Sequence, residues 1–210
     1  MENRKTPLNL FGVFDNIYAG FWIRFGSLML DFIFIIPVTI LNLYLNSLGK
    51  NIYFFTIIPN FLFGLWYNIY LPKRFGGTPG KLLVGIKILR IDGLKIGWKE
   101  AILRHIVLLI FTFLNIALTI YCVLKADNSI YLSLSWLKKS QYLTSFSPLL
   151  FKIYAWSSNI WIYSELIVLL TNKRKRAIHD YIASTVIVKG KYIDKIRESM
   201  FIINENNASS

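Results

Sequence analysis

The stretch FGSLMLDFIFIIPVTILNLYL, residues 25–45, holds a single ionisable acid, Asp31, in an otherwise apolar and neutral run. As a helix rising 1.5 Å per residue it covers the ~30 Å hydrocarbon core of a bilayer. Three more runs follow. Residues 52–71 repeat the pattern with Pro59 and Asn60 near the centre, and the short connection 46–51 makes the first two runs a tight helical hairpin. Residues 105–124 and 148–170 are the third and fourth, the last interrupted by Lys152, by Ser157 to Asn159 and by Glu165. The fold expected is an all-α membrane protein of four transmembrane helices.

Composition supports the same solvent. Of 210 residues, 55% are hydrophobic and 17% charged, too apolar for a disordered chain and too poorly charged for an ordinary soluble domain. The 24 basic residues against 11 acidic leave a net charge of +13, which suits either nucleic acid or an anionic membrane surface. Distribution decides between them. If all four runs cross, Arg4, Lys5 and Arg24 share a side with eight basic residues from Lys73 to Arg104 and eight more from Lys173 to Arg197. Lys50, Lys125, Lys138 and Lys139 fall on the other side, and Lys152 lies within the fourth run. By the positive-inside rule both termini are cytoplasmic, in a bacterial inner membrane with anionic headgroups as the neighbour. Nucleic acid is set aside, because the charge lies in flanks and loops rather than on one face interleaved with stacking aromatics.

Aromatic residues fit the borders. Trp22, Trp66, Tyr67, Tyr70 and Tyr121 read as an interfacial belt, whereas Trp156 and Trp161 fall mid-span and read as packing residues. The lone Cys122 excludes an internal disulfide. A polar stretch precedes the first apolar run and no small-x-small site ends it, so no cleavable signal is expected.

Between spans two and three stands Phe75-Gly-Gly-Thr-Pro-Gly-Lys81. A phosphate-binding loop needs Gly where Phe75 stands and Ser or Thr where Leu82 stands, so Gly77, Thr78, Pro79, Gly80 and Lys81 are read as a turn. Period-two alternation then runs on both sides of Asp92-Gly93, through Val84, Ile86 and Ile88 and through Leu94, Ile96 and Trp98. That pattern predicts a short cytoplasmic β-hairpin, and Thr185-Val-Ile-Val188 offers a further strand.

Ionisable groups inside apolar runs are costly and mark sites. Asp31 lies about 10 Å in from Arg24 by helical rise, and Glu165 about 9 Å in from the same side. At one depth, two acids suit either a shared cation or a proton held by one of them, with a protonated or paired structural role as the plain alternative. Pro37 frees the Ile33 carbonyl near Asp31, which would suit a cation. Arg24 is too far along its helix to pair with Asp31, so Asp180, returning to the same border, is its expected partner. His179-Asp180 does not read as a catalytic pair, and the histidines and Cys122 have no metal-ligand spacing. The expectation is therefore no enzyme, no catalytic residue, no metal and no cofactor.

Three blocks together resemble the RDD family of bacterial inner-membrane proteins, named for an arginine and two aspartates. They are Tyr18-Ala-Gly-Phe-Trp-Ile-Arg24 through Asp31, Gly76-Gly-Thr-Pro-Gly-Lys81 through Asp92-Gly93, and Arg176-Ala-Ile-His179-Asp180 through Val188. The resemblance covers residues 18–189, leaving tails of 1–17 and 190–210, both expected in the cytoplasm. It implies that Arg24, Asp31 and Asp180 are the family's triad, with Glu165 outside it. Ser184 stands where relatives often have glycine, and Lys73-Arg74 is more basic than the usual end of span two. Some members are proposed to exchange sodium or potassium for protons. The expected activity is therefore Na or K exchange for protons, with Asp31 as carrier and Arg24 locked to Asp180. Four spans without a visible repeat would require a homo-oligomer for that. The alternative is a non-catalytic membrane scaffold or accessory subunit that docks a cytoplasmic or membrane partner.

Overall fold

The structure is a computed structural model that describes residues 6, 7, 10, 13 and 15–208, with side chains described as far as residue 201. Arg4 and Lys5, counted above among the basic flank, lie outside the described residues.

Four helical runs are long and apolar enough to cross a membrane. The first is α1, Phe21–Ser47. The second opens with α2, Ile52–Leu65, passes through a π-helical turn at Trp66–Tyr70 and continues as α3, Leu71–Phe75, and α4, Pro79–Leu83. Pro72 has no N–H to give the Asn68 carbonyl, and the wider π turn occurs where that ladder bond is missing. The strand β1, Ile86–Arg90, leads to the third crossing helix, α5, Trp98–Lys125. Two short helices follow, α6, Asn128–Ser133, and α7, Trp136–Ser145, and then the fourth crossing helix, α8, Pro148–Thr171. The chain ends with α9, Ile178–Ile182, β2, Thr185–Lys189, a 3-10 turn at Gly190–Tyr192 and α10, Ile193–Ala208.

Only 6 to 17% of each hydrophobic window is buried within the chain. Phe32, Ile33, Phe55, Ile58, Phe113 and Ile160 all lie bare. Apolar area on that scale is unsustainable in water and is the surface that lipid covers. Trp156, expected to pack, is 66% exposed and belongs to this lipid-facing surface instead.

The chain divides into two compact units. One contains Met1–Phe34, Trp66–His105 and Ser164–Ser210. Its sheet pairs β1 with β2 antiparallel, Ile86 opposite Lys189 and Arg90 opposite Thr185. Tyr18 bridges to Val188 on the far edge of β2, with Ala19 N–H donating to the Ile187 carbonyl and Lys189 N–H to Ile17. Leu10, Ile17, Tyr18, Leu89, Val186, Val188, Ile193, Ile196 and Met200 form the core around it. The C-terminal residues expected as a tail thus supply part of this core through α10.

The hairpin expectation needs correcting in its partner. Asp92-Gly93 does turn the chain, and Arg90 N–H donates to the Leu94 carbonyl, but the pairing stops at a single Leu89 to Lys95 bridge. Beyond it the Glu100 carboxylate accepts from Gly97 N–H and starts α5, so Trp98 is helical. The continuous apolar run of β2, buried at its first four positions, takes the edge of β1 instead. Ser184, just before β2, adopts φ +52°, the left-handed conformation that explains why glycine suits that position.

The second unit contains Ile35–Leu65 and Ile106–Tyr163. Asn42 and Asn60 donate to each other through their side-chain amides, at 2.8 and 2.5 Å, which satisfies two polar groups within apolar helices. Lys50 Nζ caps the end of α5 by donating to the Val123 carbonyl at 3.1 Å and to that of Ala126, and Lys139 Nζ donates to the Ser47 carbonyl at the end of α1 at 2.8 Å. Two of the few basic residues outside the strongly basic segments are therefore helix caps.

Candidate functional site

Asp31 lies on α1 and is 5% exposed. Its Oδ1 accepts from Tyr67 Oη at 2.5 Å and from Gly80 N–H at 2.8 Å. Oδ2 accepts from Thr78 Oγ1 at 2.6 Å and has Lys81 Nζ at 3.7 Å, which in turn lies 3.2 Å from Thr78 Oγ1. An ionised carboxylate offers about four lone-pair directions; three take hydrogen bonds from this chain, and Lys81 faces Oδ2 as an ion pair too long for a hydrogen bond. The π turn buries Tyr67. Thr78 is in the N-cap position of α4, yet its hydroxyl bonds Asp31 rather than its own helix.

Glycine at position 80 is a matter of space. A Cβ there would clash with the Ser27 carbonyl and lie 2.8 Å from both Asp31 N and Asp31 Cγ. Gly77 is tight as well, since a Cβ would stand 3.1 Å from that of Lys81. The turn predicted at residues 77–81 is thus a cradle for one carboxylate, with Pro79 opening its short helix.

Asp180 is the second centre, at 0% exposure. Oδ2 accepts from Arg24 Nη1 at 2.9 Å and from Ala177 N–H at 3.1 Å. Oδ1 accepts from Arg104 Nη1 and from Thr185 Oγ1, the latter at 3.2 Å. Arg24 is fixed further by its Nε donating to the Ala19 carbonyl at 2.9 Å and Nη2 to that of Lys175. Arg176 binds from behind, donating to the Asp180 and Thr185 carbonyls at 2.8 and 2.9 Å. Burial would raise the Asp180 carboxyl, but Arg104, His179 and Arg24 beside it outweigh that and hold it well below the usual carboxylate range.

The structure joins Arg24 to Asp180 and leaves Asp31 to a separate set of partners. Among the described residues no hydrogen bond or ion pair joins Asp31 to Glu165. Glu165 instead receives His179 N–H on Oε1 at 3.0 Å, and His179 Nδ1 is 2.8 Å from Oε2. Nor is Asp31 left open for a cation beside the Ile33 carbonyl, since donors occupy both of its oxygens. Two site residues escape a reading of the sequence. Arg104 looked like one more loop charge, although its position directly before the third apolar run was a clue. Tyr67, 4% exposed, passed as an interfacial aromatic.

The chain matches the RDD family over residues 18–184. It belongs to that family. Among curated proteins, the RDD chain is 29% identical over 180 residues to Uncharacterized protein YckC of Bacillus subtilis (strain 168), covering 82% of this chain and 86% of that protein. No solved structure matches. The three residues expected as the family's triad are distributed over two carboxylate centres, with Arg24 and Asp180 in one and Asp31 in the other.

Two outcomes are expected. Gly80→Ala overfills the contact with α1 and lowers stability by about 1–3 kcal/mol, read as a lower melting temperature in detergent. Asp180 has a depressed carboxyl in the fold, so its stabilisation is complete above the ordinary range near pH ~4 and is lost as pH falls below it. Asp180→Asn should flatten that acid limb while costing about 3–5 kcal/mol at neutral pH, because two buried guanidinium groups lose their counter-charge.

Proposed function

We propose that this RDD protein is a non-catalytic membrane scaffold or accessory subunit, whose buried aspartates fasten its basic extramembrane segments to α1. The observation that carries this reading is the set of internal donors on both aspartates. A carboxylate that carries Na or K must offer free lone pairs, and Asp31 and Asp180 accept seven hydrogen bonds from their own chain, with Lys81 paired to Asp31 besides. Removing such a donor set would loosen the fold rather than open a path.

Cation exchange for protons is the second reading, and one feature favours it. Glu165 Oε2 is buried and receives no aligned hydrogen bond, with His179 Nδ1 2.8 Å away. In that reading the ion displaces Lys81 from Asp31, with the Tyr67 and Thr78 hydroxyl oxygens as further ligands, and several chains assemble to form the path. For either reading we assign the chain to a bacterial inner membrane with both termini cytoplasmic, on the asymmetry of its basic residues.

Proteoliposomes loaded with a proton-sensitive dye separate the two readings. A scaffold gives no proton movement on addition of Na or K, and Asp31→Asn changes only its melting temperature. Ion-dependent proton flux in the parent, lost in a folded Asp31→Asn variant, would sink the scaffold reading. Reporter fusions after Lys95 and Lys191 should read cytoplasmic and those after Lys50 and Lys138 external. A cytoplasmic signal at 138 would overturn the orientation.

A further inference from the structure

Away from both aspartates, three separated stretches of chain converge on a cavity of about 380 Å³. Five cations line it, Lys73, Arg74, Lys87, Lys95 and Arg197, against one acid, Asp194. Its floor includes the buried Ile88 and Ile96. At its edge Gly76 adopts φ +85°, and a Cβ there would stand 3.6 Å from Lys87 Cδ, so the Lys87 stem runs across that glycine. The volume is in the range of small-ligand sites rather than of packing defects.

The charge in this cavity is not spent internally. Among the described residues the side chains of Arg74, Lys87 and Lys95 make no ion pair or hydrogen bond. Lys73 rests 4.9 Å over the Trp98 ring, a contact that leaves its ammonium free to bind an anion. Arg197 has only Asp194 at 3.8 Å, and the Asp194 side chain is 98% exposed, a pairing that solvent screens to little effect. Five like charges held around one cavity repel one another and are relieved by a multiply charged anion.

We propose that this cleft binds a phosphoryl group. A phosphate's two negative charges and three terminal oxygens match what the lining offers. Two guanidinium forks can take oxygens in pairs, and the lysines add mobile point charges around them. The group can come from the headgroup of an anionic lipid or from a free phosphate compound, and the chemistry of recognition is shared. The inference does not depend on whether the aspartates lock the fold or carry ions.

The full chain in phosphatidylcholine nanodiscs is titrated calorimetrically with inorganic pyrophosphate. In parallel, native mass spectrometry measures retention of phosphatidic acid against phosphatidylcholine. The test variant is Arg74→Gln, Lys87→Gln, Lys95→Gln, and the control, of equal charge change, is Lys99→Gln, Lys173→Gln, Lys195→Gln. Binding by the test variant should weaken roughly a hundredfold, and by the control less than about threefold. Pyrophosphate binding by the parent supports a free phosphate as the source, and retention of phosphatidic acid alone supports a headgroup. If the triple variant fails to fold, Lys87→Glu, at an exposed position without a polar partner, takes its place. Binding of neither probe overturns the proposal, as does equal loss in variant and control.

Discussion

A carboxylate buried in a helix that faces lipid must find its own partners, and Asp31 meets this demand with three hydrogen-bond donors and one ion pair. Stranding such a charge would cost several kcal/mol, so the fold is arranged to bring a tyrosine, a threonine, a glycine N–H and a lysine to one point. Each donor imposes a local feature. Tyr67 depends on a π turn upstream of Pro72, and Gly80 must lack a side chain because its backbone closes on α1. The Thr-Pro-Gly-Lys turn is therefore a consequence of the acid it holds.

Asp180 applies the same logic at the far end of the chain. With Arg24 and Arg104 it forms a buried cluster that retains one net positive charge, tied by Thr185 to the start of β2 and by Ala177 to the start of α9. Buried ion pairs of this kind contribute little net stability, yet removing one member leaves an uncompensated charge. That asymmetry favours specificity of arrangement over strength. The two centres also feel each other, since Lys81 interacts electrostatically with Arg24, Arg104 and Asp180 as well as with Asp31. Arg24 and Asp31, a helical heptad apart on α1, thus anchor two distant parts of the sequence to one helix.

Eight of the basic residues fall into three roles that a charge count does not separate. Arg24, Lys81 and Arg104 neutralise buried acids, and Lys50 and Lys139 close helix ends. Arg74, Lys87 and Lys95 remain available at the surface of the unit built around the sheet. Part of the surplus positive charge on this chain is therefore gathered at one cavity.

Four apolar runs, the break in the chain around Thr78-Pro79-Gly80, the need to shelter Asp31 and the pairing of Arg24 with Asp180 are all legible in the sequence. Each follows from a property of a single residue or a contiguous run: hydropathy over 20 positions, the φ preference of glycine and proline, the cost of an acid in lipid. The partner of β1 was not legible, because the alternation from Leu94 to Trp98 and the unbroken apolar run of Val186 to Val188 are both patterns that strands adopt. Only the three-dimensional chain shows that α5 begins at Trp98 and leaves the edge to β2. Likewise nothing in the spacing assigns Tyr67 to Asp31 or Arg104 to Asp180, since these donors come from separate helices and are chosen by proximity. The sequence by itself determined the solvent and the charges that need sheltering. Tertiary structure decided which groups shelter them, because a hydrogen bond depends on where folding brings two atoms and not on their distance along the chain.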